Sequence, residues 1–146
     1  MPARNHEQAR AFPYGRRRYL LSIAERRFFA ALIKAVPAGI CVFCKVRLAD
    51  LVFVRREAEC DNTHFNRIQA KHIDFVLCDL RSSNVRLVIE LDDKTHDRRD
   101  RQNRDAFVDE LLSHVGITIL RFRARAEYDS AALSVKLRAV LGGHRQ

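Results

Sequence analysis

Runs of apolar residues along the chain switch between a period of two and the longer period of a helix. Two runs rich in β-branched residues, at about 71–79 and 85–92, are typical of neighbouring strands, and the polar residues 81–84 between them predict a turn. Residues 41–48 alternate, with Val42, Cys44, Val46 and Leu48 expected on one face, and 117–122 form a further short apolar run. The pattern therefore predicts four strands, the second and third of them joined by a turn.

The first helix is predicted from its capping pattern. Ser22 and Glu25 have the spacing of a capping box, and apolar residues then recur at helical spacing until Pro37 and Gly39. After the first strand, residues 54–69 are polar and show no clear period. We expect an irregular segment there.

Two further helices complete the pattern. The charged segment 97–104 leads into a helix with Gly116 as its C-terminal cap, and this helix is the predicted crossover from the third strand to the fourth. Asp129 can cap a last helix, which ends at Gly142-Gly143. The order α-β-β-β-α-β-α predicts an α/β protein with a mixed sheet flanked by helices.

Charge points to the class of partner. The 146 residues carry 27 Lys and Arg against 18 Asp and Glu, a net charge of +9 that favours a polyanionic partner, nucleic acid above all. Proline, glycine and polar residues predict a flexible basic arm at 1–18, followed by a single domain at 19–146. The candidate phosphate contacts are the arginines of the arm and an alternating set near the fourth strand: Arg16, Arg17, Arg18, Arg121, Arg123 and Arg125.

Two features bear on the compartment. No apolar run is long enough to span a bilayer, so we expect a cytoplasmic protein without a membrane partner. The chain has four cysteines, and Cys41 and Cys44 form a C-x-x-C pattern. On a strand an offset of three places the two thiols on opposite faces, so no zinc is expected and the thiols are predicted to be free.

Acidic residues concentrate where the two central strands meet. Glu90 and Asp92 share one face of their strand, because side chains two apart point the same way, whereas Asp93 points to the other side. Pairing the apolar sets matches Ile73 with Leu91 and Phe75 with Ile89, which places Asp74 opposite Glu90. Three neighbouring carboxylates need a compensating cation. A divalent metal ion is the functional candidate.

These residues resemble a known family. Lys71–Asp79, Val88–His96 and Ile119–Phe122 are similar to a bacterial family of domains of unknown function that lies near the very-short-patch-repair endonucleases. The α-β-β-β-α-β order with an acid on the second strand resembles the restriction-endonuclease-like fold of the PD-(D/E)xK superfamily. The resemblance implies a nuclease that uses Mg²⁺ or Mn²⁺ to hydrolyse phosphodiester bonds in DNA rather than RNA.

The resemblance also implies roles for individual residues. It assigns Asp74, Glu90 and Asp92 to the metal, and Lys94 or His96 to orienting water or donating a proton. Asp92-Asp93-Lys94 satisfies (D/E)xK literally, whereas the alignment of Glu90 and Asp92 as E-x-D places the superfamily's lysine position at Asp92. Supporting acids fall at Glu25 and Asp105, and Val108 stands where related domains carry arginine.

Each of these residues also has a structural explanation. Glu90 and Asp92 can form salt bridges with Arg86, Lys71 or the arginines of 98–104, Glu25 is explained by its capping box, and His96 can hydrogen-bond a turn. The alternative to a nuclease is a catalytically inactive nucleic-acid-binding or accessory module with the same fold. A structural partner domain with a charge-paired cluster is a third hypothesis.

Overall fold

A mixed sheet forms the centre of the molecule, with helices on both faces. The computed structural model describes the backbone of residues 13–58, 62–92 and 98–143, and the side chains of these ranges except 98–104. Five helices and four strands lie in these ranges: α1 (Ile23–Ala35), β1 (Ile40–Arg47), α2 (Leu48–Leu51), α3 (Thr63–Gln69), β2 (His72–Asp79), β3 (Val85–Asp92), α4 (Arg98–His114), β4 (Ile119–Arg123) and α5 (Ser130–Gly142), together with a single 3₁₀ turn at Arg56–Ala58.

The strands lie in the order β1-β2-β3-β4. Strands β1 and β2 are antiparallel, as are β2 and β3, whereas β3 and β4 are parallel and connected through α4. A parallel pair needs a crossover connection, and the sequence predicted that α4 supplies it. The α/β class and the mixed sheet with flanking helices are therefore confirmed, and the α-β-β-β-α-β order holds apart from the short helices α2 and α3 between β1 and β2.

Each face of the sheet has its own hydrophobic core. On one face α1 and α5 pack against fully buried side chains of β2 and β3, including Phe75 and Ile89. On the other face α2, α3 and α4 pack against a second set that includes Ile73 and Val88. Strands β2 and β3 are thus covered on both sides, which explains why their apolar runs are nearly continuous.

The predicted helix ends agree with the structure. The hydroxyl of Ser22 accepts a hydrogen bond from the Glu25 N–H, and the Glu25 carboxylate accepts one from the Ser22 N–H, which completes the capping box. Gly116 follows α4 with a φ of +76°, a conformation that favours glycine at a helix C terminus. The Asp129 carboxylate caps α5 by accepting from two N–H groups.

Two predictions about β1 and the following loop are wrong. Val42, Cys44, Val46 and Leu48 were expected on one face, but the first two pack in the α1/α5 core and the last two in the other core. The alternation reverses at Lys45, whose φ of +57° breaks the regular strand. The segment 54–69 was expected to be irregular, yet its last seven residues form α3, which buries Ile68.

Other predictions have mixed outcomes. Cys41 packs in the α4 core and Cys44 in the α1/α5 core, so their placement on opposite faces is confirmed. No helix within the described ranges is long and apolar enough to cross a membrane. The boundary between a basic arm at 1–18 and a domain at 19–146 stays a prediction. Residues 1–12 lie outside the described residues, and 13–22 belong to no helix or strand.

Candidate active site: a charged row across the sheet

Four charged residues occupy one level of the sheet, one on each strand. Going from β1 to β4 they are Lys45, Asp74, Glu90 and Arg121, and we call them the charged row. Their positions follow from the register: Cys44 pairs with Phe75, Val46 with Ile73, Phe75 with Ile89, and Glu90 with Arg121. The row therefore has a cation on each outer strand and an acidic residue on each central strand.

Asp74 lies where the β2–β3 ladder opens. The predicted pairing of Phe75 with Ile89 is confirmed. The predicted match of Ile73 with Leu91 on one face is wrong, because Ile73 packs in the α4 core and Leu91 in the α1/α5 core. Asp74 lies one position beyond the Phe75–Ile89 pair, and Glu90 is the corresponding position on β3. The Leu91 N–H donates to Asp74 Oδ2 at 2.9 Å. The carboxylate thus takes the place of a main-chain acceptor between the two strands, and its other oxygen faces Lys45 at 3.3 Å.

Lys45 joins two acids that are far apart in the sequence. Its ammonium donates to Glu25 Oε1 at the start of α1 and to Asp74 Oδ1 on β2. Burial by itself lowers the pKa of Lys45, but the hydrogen bonds and charges of Glu25 and Asp74 outweigh burial, so the net pKa is raised and the ammonium stays charged. Lys45 also adopts a left-handed backbone, which costs a residue with a side chain about 1–3 kcal/mol.

Arg121 joins a second group of acids at the other end of the row. Its guanidinium lies 2.7 Å from Asp109, 3.5 Å from Asp92 and 3.8 Å from Asp105. Burial opposes the charge of Arg121, but Asp109 and then Asp105 and Asp92 raise its pKa. The buried Nε of Arg121 has no hydrogen-bond partner among the described residues.

Glu90 lies between these two groups. It is half-buried on β3, its register partner on β4 is Arg121, and the neighbouring position on β2 is Asp74. Because it shares a face with Asp92, Glu90 lies on the side of the sheet that α4 covers. The two central carboxylates of the row are thus flanked by the Lys45 group on one side and the Arg121 group on the other.

The structure brings most of the predicted acids to this end of the sheet. Asp74 and Glu25 share Lys45, while Asp92 and Asp105 share Arg121, so the acids form two cation-centred groups rather than one pocket. Two of the cations suggested as salt-bridge partners of Asp92 interact with other groups. Arg86 forms a salt bridge with Asp79, and Lys71 donates to the carbonyl of Arg67. Lys94, His96 and the side chains of 98–104 lie outside the described residues.

The predicted phosphate contacts separate into two kinds. Arg123 and Arg125 are exposed, and so are Arg16, Arg17 and Arg18. Arg121 differs from the expected alternating stripe, because its guanidinium is already engaged by three carboxylates. Val108, at the position where related domains carry arginine, is buried in the α4 core, so α4 supplies no cation there.

Sequence reasoning missed Lys45 and Asp109. The requirement that neighbouring carboxylates need a cation pointed to a partner, and the register of β1 against β2 would have placed Lys45 opposite Asp74. Asp109 follows Asp105 by one helical turn, and this spacing puts both on the face of α4 that meets β4.

The donor atoms of the site suit a hydrated divalent cation. Within the part of the chain that the structure describes, no three His, Cys, Asp or Glu side chains form a ready metal site. However, oxygens of Glu25 and Asp74 already converge on one cation, the Lys45 ammonium. Mg²⁺ is commonly held by one or two carboxylates and several waters, so Asp74 with Glu90 or Glu25 fits its requirements once the ammonium moves away.

The fold and the row define an α/β domain with an acidic centre at one end of its sheet. Residues 17–140 match the family model of DUF2726, a protein family of unknown function, and the chain belongs to that family. No curated protein and no solved structure is significantly similar to this chain. The predicted membership of a family of unknown function is thereby confirmed.

Proposed function

We propose that this protein is a divalent-metal-dependent nuclease that cleaves phosphodiester bonds in DNA, related to the PD-(D/E)xK superfamily and the very-short-patch-repair endonucleases. The observation that carries the proposal is the pair of carboxylates in the middle of the charged row. Asp74 and Glu90 occupy neighbouring positions at the point where β2 and β3 separate. Two adjacent carboxylates repel one another, and this repulsion favours a cation between them.

Asp74 and Glu90 are the proposed ligands of Mg²⁺ or Mn²⁺, with Asp92 beside them on β3. Bound there, the metal would polarise a phosphodiester and lower the pKa of an attacking water. The Leu91 N–H fixes the orientation of Asp74, because it holds one carboxylate oxygen and leaves the other directed away from the ladder. Lys94 and His96 keep their proposed roles in orienting water and donating a proton.

The cations at the ends of the row have different roles in this proposal. The Lys45 ammonium lies between Glu25 and Asp74, so it competes with a metal for Asp74 and has to move aside when the metal binds. Arg121 lies beside Asp92 and also contacts Asp109 and Asp105 on α4. Arg121 therefore acts as a positioning residue, because it orients Asp92 beside the proposed metal.

Nicking of supercoiled plasmid DNA in Mg²⁺ or Mn²⁺ tests the proposal. We expect Asp74→Asn and Glu90→Gln to abolish nicking while DNA binding is retained. Asp79→Asn is the matched control, because Asp79 is a partly buried, ion-paired acid on the same strand as Asp74 but bonds Arg86 away from the row. Nicking that persists in both row variants, or that Asp79→Asn also removes, would contradict the site assignment.

A second candidate is a nucleic-acid-binding module without cleavage. It is favoured by the ion pairs themselves, since Asp74 is already bonded to Lys45 and the Leu91 N–H, and Asp92 to Arg121. In such a module these ion pairs, rather than a metal, compensate the charge of the carboxylates. DNA binding together with no nicking by the wild type in either metal would support this candidate over the nuclease.

A further inference from the structure

A groove runs between the C-terminal end of β4 and the first turns of α5. Its cavity of about 390 Å³ is lined by residues that include Phe122, Arg123, Arg125, Tyr128, Asp129 and Lys136, and we call it the β4–α5 groove. Arg123 ends β4, Arg125 follows it by two residues, and Lys136 comes from the second turn of α5. These three cations line one concave surface together with Arg121.

These cations are available to an external anion. Within the described ranges, Arg123, Arg125 and Lys136 form no ion pair with a carboxylate. The one acid of the lining, Asp129, accepts hydrogen bonds from the N–H groups that it caps at the start of α5. Like charges crowded in a groove raise its potential, so this surface favours a polyanion.

The groove adjoins the charged row. Arg123 pairs in register with Asp92, and the Ala124 N–H donates to the Asp92 carbonyl at 2.9 Å. The groove therefore begins one strand away from Asp92, which itself follows Glu90 by two residues on β3. Strand β4 is the edge strand of the described sheet, so the groove opens at this edge, beside the end of β3 that carries Asp92.

The rings of the groove are already engaged. The Tyr128 hydroxyl accepts from the Arg125 N–H and donates to the Arg123 carbonyl, and Lys136 lies 4.7 Å from the centre of the Phe122 ring. Phe122 also packs against Phe28 in the core, with ring centres 5.1 Å apart. The Tyr128 ring also packs against Phe28, with ring centres 5.1 Å apart, so both rings of the groove belong to the core packing. The groove therefore suits a phosphate backbone better than unstacked bases.

We propose that the β4–α5 groove binds the phosphate backbone of DNA and delivers it to the charged row. Arg123, Arg125 and Lys136 contact phosphates, and Arg121 does not, because three carboxylates already hold it. This inference rests on the proposed function for its choice of DNA as the polyanion. The contacts are independent of base sequence, since they reach only the backbone.

Fluorescence anisotropy of a labelled DNA duplex, measured with the full chain in EDTA, tests the groove without any cleavage. We expect Arg125→Gln and Lys136→Gln each to weaken binding about three- to tenfold at 0.1 M salt and to reduce the slope of log K against log salt by about 0.9. Arg138→Gln is the matched control, because it removes the same charge from α5 at a position about 200° around the helix from Lys136.

The outcomes separate the groove from the nuclease proposal. The groove proposal is contradicted if Arg138→Gln and Lys136→Gln weaken DNA binding equally. It is also contradicted if the wild type does not bind DNA, or binds an RNA duplex of the same length more tightly. If Arg125→Gln and Lys136→Gln bind DNA normally while Asp74→Asn loses nicking, the groove proposal is wrong and the nuclease proposal is supported. If the two groove variants lose DNA binding and the wild type does not nick, the groove proposal is supported and the nuclease proposal is wrong.

Discussion

Replacing Lys45 with methionine tests the link between the two ends of the site. The substitution removes the ammonium that joins Glu25 to Asp74 and keeps an unbranched side chain of similar length. Both residues carry a Cβ, so the strain of the left-handed backbone at this position is common to wild type and variant. The difference between them therefore reports the charge.

The expected loss of stability follows from the burial of the three groups. The side chains of Lys45, Glu25 and Asp74 are 30%, 14% and 16% exposed, so the pairs lie between a surface ion pair and a buried one. Exposed pairs contribute about 0–1 kcal/mol, and breaking a fully buried pair costs about 3–5 kcal/mol. We expect Lys45→Met to lower the free energy of unfolding by about 1–2 kcal/mol in urea denaturation.

The same variant should bind metal more tightly. In water the ammonium repels a divalent ion about 4 Å away by about 2 kcal/mol, twice the value for two unit charges. Removing this repulsion should lower the Kd for the metal roughly 30-fold. Calorimetric titration with Mn²⁺ in the absence of DNA measures this change directly. Lys71→Met is the control, because the Lys71 ammonium donates to a carbonyl rather than to a carboxylate.

One result would refute the reasoning. If Lys45→Met loses stability but binds Mn²⁺ no more tightly than the wild type, Lys45 stabilises the fold without occupying the cation position. Stronger binding in Lys71→Met of the same size would point to net charge instead of the position of Lys45.

Three further predictions concern pH, the Arg121 group and the core. The folded-state pKa of Lys45 is raised above its ordinary value of 10.5, so the stability that its ammonium contributes is complete below that pH and is lost as the pH rises above it. The Tm difference between wild type and Lys45→Met should therefore be constant from about pH 7 to 9 and shrink above about 10.5. Arg121→Gln should cost about 1–3 kcal/mol in urea denaturation, since three carboxylates lose their shared cation, and adding Asp109→Asn should restore part of that loss in a double-mutant cycle. Leu112→Ala should cost about 2–5 kcal/mol, because this fully buried side chain fills the core under α4, and a loss below about 1 kcal/mol would contradict that packing.

The sheet could be predicted because its strands are buried on both faces. A one-residue slip of β2 against β3 moves every apolar side chain to the other face, so the pattern fixed the pairing of Phe75 with Ile89. That pairing in turn placed Asp74 level with Glu90. The family match covers residues 17–140, a range that contains all four strands.

The missed features depend on conformations and contacts that a pattern does not carry. The left-handed backbone of Lys45 reverses the alternation of β1, and a lysine gives no local signal for that conformation. The spacing of Arg121 with Arg123 indicated exposed neighbours, whereas the crossover through α4 brings Asp105 and Asp109 onto Arg121. Helix α3 was missed because it is short and buries one residue, Ile68, too few to set a period.

The order of charges along the row explains how an acidic centre and a folded sheet coexist. Lys45 is shared by Glu25 and Asp74, and Arg121 lies beside Asp92, Asp105 and Asp109, so the acids of these two groups outnumber their cations. The ion pairs stabilise the folded chain, but they leave an excess of negative charge at this end of the sheet. In the nuclease that we propose, a divalent ion held by Asp74 and Glu90 adds positive charge where these acids accumulate, and Mg²⁺ accepts carboxylate ligands of this kind.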